Sequence, residues 1–138
     1  SDKNPNIYAT LKENFTTLGV KPSPFLFGGD LMTNERLAAI VGDYQNVVIF
    51  IDAPWGEGFD PKKGLDLKKT RPGVDSIISN FKGKLPKKNI LFIIKTHEQL
   101  VEASIDEIVA EGNLKKISQK MLSGTEKGSN IGYLSITN

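Results

Sequence analysis

Two runs of five consecutive apolar residues, VVIFI at 47–51 and ILFII at 90–94, constrain this chain more than anything else in it. Both are rich in β-branched residues and bounded by polar ones. Each therefore reads as a strand covered on two faces, the pattern of central strands in an α/β layer structure. Between them Val74, Ile77, Ile78 and Phe81 recur at helical spacing, with Gly83 as the expected stop. Strand, loop, helix and strand together have the composition of a parallel crossover. Neither run approaches the roughly 20 apolar residues that cross a bilayer, so no transmembrane segment is expected. The N-terminal SDKNPNIYAT lacks the apolar stretch of a signal peptide. The reading is of a soluble protein, cytoplasmic or exported after cleavage of a segment not contained in this sequence.

Helical signals precede the first run. Asn4 and Pro5 have the form of an N-cap and first helical position, and Ile7, Tyr8, Leu11, Phe15 and Leu18 follow at helical spacing before Gly19. VKPSPFLFGGD at 20–30 reads as an extended connection or short edge strand. Thr33 is expected to cap a short helix whose Leu37, Ile40 and Val41 share a face, ending at Gly42. After the second run, THEQ at 96–99 and SIDE at 104–107 both fit a capping box, and acidic residues early with Lys115, Lys116 and Lys120 late predict helix, broken near Gly112 and Asn113. SGTEKGSN is expected to be a loop and IGYLSIT a final strand. The expected fold is thus a single α/β domain over 1–138, a small layered sheet of three to four strands, mostly parallel in its centre, flanked by four to five helices.

With 138 residues the chain can bury one core without a metal or disulfide staple. It has no cysteine, which removes disulfides, thiolate metal sites and cysteine nucleophiles together. The net charge of +2 is unevenly spread. Residues 61–88 carry nine lysines and arginines against Asp66 and Asp75, or +7, which leaves −5 elsewhere. One basic sector is expected, suited to an acidic partner or to nucleic acid, although no nucleic-acid module is recognisable and few aromatics interleave it.

Chemistry is expected at the end of the first run. Asp52 stands where α/β sheets bind ligands, beyond the carboxyl end of a strand. The loop that follows offers Trp55 and Phe59 as aromatic surfaces, Glu57 and Asp60 as further carboxylates, and Lys62, Lys63, Lys68, Lys69 and Arg71 as cations. Asp52, Glu57 and Asp60 could hold Mg²⁺ or another hard divalent cation. His97, the one histidine, would project from the same sheet edge as Asp52 if the two strands are parallel neighbours, and imidazole beside carboxylate is a minimal general-base pair. Plainer roles compete at each position: a turn cap for Asp52, a core lid for Trp55, a first-turn residue for His97. GTEKGS at 124–129 has neither the spacing nor the following helix of a phosphate-binding loop.

VIFIDAPWGEGF resembles the strand and active-site turn of thioredoxins over about a dozen residues, through Ala53, Pro54 and Trp55. Gly56 and Phe59 occupy the places of the two cysteines, so thiol exchange is excluded, and Pro61 interrupts the helix that the resemblance implies. It carries no family assignment. The function expected from the sequence is a non-catalytic interaction or assembly module presenting the 53–72 loop and the basic sector to a protein partner or a second copy. The alternatives are a metal-dependent enzyme centred on Asp52, acting on a phosphorylated or other anionic substrate, and a nucleic-acid-binding accessory protein.

Overall fold

The computed structural model describes residues 4–19, 32–33, 37–123 and 130–138. By its internal contacts the chain divides into two compact units, residues 1–42 and 43–138. In the first unit, helix α1 (Pro5–Thr17) begins as expected: Asn4 Oδ1 accepts from the Asn6 N–H at 3.0 Å, and Pro5 occupies the first turn, where a missing N–H costs nothing. The chain leaves α1 through Gly19 in the left-handed region (φ +64°). Helix α2 (Leu37–Val41) buries Leu37 and Val41 and stops at Gly42, also left-handed. The expected Thr33 cap, the 20–30 connection and the SGTEKGSN loop fall wholly or partly outside the described residues.

The second unit is built on a four-stranded sheet. Its strands are β1 (Asn46–Ile51), β4 (Asn89–His97), β5 (Lys115–Leu122) and β6 (Ile131–Thr137), in the order β1-β4-β6-β5. A small hairpin, β2 (Phe59–Asp60) with β3 (Gly64–Leu65), helix α3 (Val74–Lys84) and helix α4 (Glu102–Glu111) complete the unit. The two apolar runs pair in parallel and in register, Val47 with Ile90 through Ile51 with Ile94. The Asn89 side-chain amide donates to Asn46 Oδ1 at 2.9 Å at the start of that ladder.

The alternation along β4 separates the faces of the sheet. Ile90, Phe92, Ile94 and Thr96 are at most 1% exposed, whereas Leu91, Ile93, Lys95 and His97 are half-buried. With Ile51, Leu134 and Ile136, the buried set joins Val74, Ile78 and Phe81 of α3 and Ile105 and Ile108 of α4 in the core. Across the β4–β6 ladder Thr96 lies opposite Gly132, where a Cβ would collide with the Thr96 hydroxyl and the Met121 sulfur unless those side chains shift.

Several expectations change. The centre of the sheet is not mostly parallel: β4–β6 and β6–β5 are antiparallel, and β1–β4 is the one parallel pair. The eight residues between β5 and β6 are too few for a parallel crossover, which needs a dozen or more, so β6 must return antiparallel. It slots between β4 and β5. Four α-helices are present among the described residues. Residues 115–122, expected to be helical, form β5, a nearly fully exposed edge strand carrying Lys115, Lys116 and Lys120. THEQ caps nothing: Thr96 and His97 are the last residues of β4, held by pairing with Gly132 and Ile131. Ser104 lies inside α4, its hydroxyl donating to the Val101 carbonyl at 2.7 Å and accepting from the Leu67 N–H at 3.3 Å. Gly83 lies within α3, which closes through Leu85 N–H to the Phe81 carbonyl before Pro86 forbids another turn.

Candidate ligand site at the strand ends

The parallel register decides what lies beside Asp52. Ile51 faces Ile94, so the next pair is Asp52 and Lys95, on the half-open face of the sheet. Lys95 Nζ donates to Asp52 Oδ2 at 2.9 Å, and the two side chains are 29% and 49% exposed respectively. Oδ1 has no hydrogen-bond partner among the described residues. Asp52 is therefore not a turn cap: among the described residues its carboxylate accepts from no backbone N–H of the following loop.

The long strand-to-helix link is a folded plug. Leu65 and Leu67 are at most 1% exposed and draw the segment inward. Leu65 donates to the Gln99 carbonyl and accepts from the Val101 N–H, stitching β3 to the chain leaving β4. Gly64, at φ +96°, lies so close to Gln99 that a Cβ would be 2.7 Å from its carbonyl oxygen. Asp60 Oδ1 accepts from the N–H groups of Lys62 and Lys63, an Asx turn that closes the hairpin. Thr70, buried, donates to the carbonyls of Leu67 and Pro72, and the Arg71–Pro72 peptide is cis.

This plug carries Trp55 and Phe59 to the end of β4, where they meet His97. Ring centroids lie 5.3 Å apart for Trp55 and His97, edge to face, 4.5 Å for Phe59 and His97, and 6.2 Å for Trp55 and Phe59. All three rings are half-buried, so each keeps exposed surface. His97 Nδ1 accepts from the Gln99 N–H at 3.0 Å, which places the proton of the neutral ring on Nε2.

The structure thus brings Trp55, Phe59 and His97 together and leaves the remaining candidates dispersed. Among the described residues nothing joins His97 to Asp52, whose partner is Lys95. Glu57 Oε2 accepts from Arg71 Nε and Nη2 at 3.2 and 3.0 Å. Asp60 is occupied by its turn. Asp52, Glu57 and Asp60 therefore serve three different partners, and among the described residues no three His, Asp or Glu side chains gather as a metal site. Lys69 reaches Asp66 at 3.0 Å, and Lys68 bridges Glu107 and Glu111 of α4 at 2.8 and 2.9 Å. Its hydrogen bonds to Glu107 first, then to Glu111, hold the Lys68 ammonium well above the ordinary lysine range, against an opposing effect of burial. Lys62 and Lys63 are exposed on the hairpin tip.

Sequence reasoning missed Lys95 and the Leu65–Leu67 plug. The signal for Lys95 was present: two five-residue apolar runs paired in register put the residues immediately after them, 52 and 95, side by side. No family model and no curated protein matches the chain. Among the described residues no helix is long and apolar enough to cross a membrane.

Proposed function

We propose that the strand-end site binds single-stranded nucleic acid by receiving a base against the Trp55, Phe59 and His97 rings. The observation that carries this reading is the aromatic cluster itself, assembled at the end of β4, the parallel neighbour of the strand that Asp52 follows, and on a cation-rich loop. Aromatic side chains accept bases by their π faces whatever the sequence, and flanking cations track the backbone. Asp52 Oδ1 is an acceptor suited to an exocyclic amine, with Lys95 holding the other oxygen and fixing the carboxylate. Stacking combined with hydrogen bonds to a base edge is also how enzymes that modify a base hold it out of a duplex.

The test is anisotropy of a labelled, mixed-sequence single-stranded oligonucleotide. Trp55→Ala should weaken binding about tenfold or more, because a stacked base contributes ~1–3 kcal/mol. Equal affinity for the variant would remove the ring cluster from the site.

A second reading, an assembly module, is favoured by a different surface. Among the described residues β1 has one partner strand, and on its half-open face Val48 and Phe50 are 63% and 56% exposed, with no charged residue in the run. Phe50 and Tyr133, with ring centroids 6.3 Å apart and tilted by 41°, extend that apolar face across the sheet. On this reading β1, and not the 53–72 loop, meets a second copy.

A further inference from the structure

We infer that the recess beside the start of α3 is a phosphate subsite, so that the ligand is a nucleotide chain and not a free planar ring; this rests on the base-binding reading. The recess measures about 600 Å³, and Lys68, Lys69, Thr70, Arg71 and Ser76 line it with Glu57. Three cations thus line it with one carboxylate, and each has an acidic partner: Glu107 and Glu111 for Lys68, Asp66 for Lys69 and Glu57 for Arg71, with the Asp75 carboxylate close to Gly73. The three cations are held unequally. Lys68 is held by Glu107 and Glu111 and forms a fixed wall.

Lys69 and Arg71 are the working pair. The Lys69 side chain is 71% exposed and reaches Asp66 across an i,i+3 turn. Arg71 and Glu57 are 81% and 76% exposed, and two guanidinium nitrogens share a single Glu57 oxygen. Such exposed pairs contribute little to stability. A phosphate offers the guanidinium two oxygens in the fork geometry that Glu57 leaves unused, and a point-charge partner to Lys69. Exchange of Glu57 for phosphate on Arg71 therefore breaks one weak pair and forms a stronger one. Glu57, which lines the recess, is also two residues from Trp55, so the backbone links recess and ring cluster over at most ~7 Å.

The experiment titrates the full chain with a labelled single-stranded DNA decamer at several salt concentrations, reading anisotropy for binding and intrinsic fluorescence for Trp55, the only tryptophan. Lys69→Ala/Arg71→Ala should lower affinity at least tenfold and reduce the slope of log K against log salt by about 0.7, for the one phosphate no longer neutralised. Glu57→Gln should tighten binding by freeing Arg71. A charge-matched control, Lys115→Ala/Lys120→Ala on β5, should leave the slope unchanged. Equal slopes for the recess variant and the wild type, or the same loss for the β5 control, overturn the subsite. Binding that shows the expected slope change without any Trp55 fluorescence response supports the phosphate subsite and sinks the base reading instead. No binding by either readout overturns both.

Discussion

At the scale of single residues, position in the sheet decides chemistry more than residue type does. Asp52 and Thr96 both suggested caps from sequence, and neither is one. Asp52 is the first residue past a parallel strand, paired with Lys95 and open on one oxygen. Asp52→Asn should change stability by less than about 1 kcal/mol, since the Lys95 pair is partly exposed. Oligonucleotide affinity should fall about tenfold, as expected for losing a charged acceptor; a drop in melting temperature with binding unchanged would assign Asp52 a purely structural role. Thr96 is fully buried, and its hydroxyl has no hydrogen-bond partner among the described residues. Thr96→Val keeps the shape and removes an unsatisfied polar atom, so it should raise unfolding stability by about 1 kcal/mol in urea. Thr96 could not be read as a core residue because its local string, THEQ, is a legitimate helix-start pattern, and only pairing with β6 extends β4 through it.

Among elements, the 53–72 loop was legible as a long connection but not as a folded plug. Leu65 and Leu67 are isolated apolar residues in a polar stretch, and their burial depends on the segment leaving β4, which supplies the Gln99 carbonyl and Val101 N–H. The tight point is Gly64. Gly64→Ala combines an unfavourable φ with a backbone collision and should cost ~2 kcal/mol or more, measured by denaturant unfolding. Lys68 fastens the same connection to α4. Its folded pKa is raised, so the stabilisation is fully present below the ordinary lysine value of about 10.4 and is lost as pH climbs through the raised folded value. Lys68→Met should therefore unfold at a lower temperature than wild type near neutrality, with the gap narrowing above pH about 10.5. A gap that stays constant with pH would show that the lost interaction is packing of the aliphatic stem.

For the molecule as a whole, the exposed apolar face of β1, with Val48 and Phe50, makes association the property to measure. Val48→Lys places a charge on that face and should shift any dimer seen by light scattering toward monomer without lowering oligonucleotide affinity, because the strand-end site lies beyond β1. A dimer unaffected by the charge would move the interface elsewhere. The sequence by itself determined the two parallel strands, the helix between them, the capped α1 and the last strand, because hydrophobic period and capping chemistry are local signals. Tertiary structure alone decided that β6 lies between β4 and β5, that 115–122 is a strand, and that Trp55 and Phe59 close on His97. Each of these depends on residues far apart in the chain, where pairing and burial outweigh local propensity, and no window of neighbouring residues contains that information.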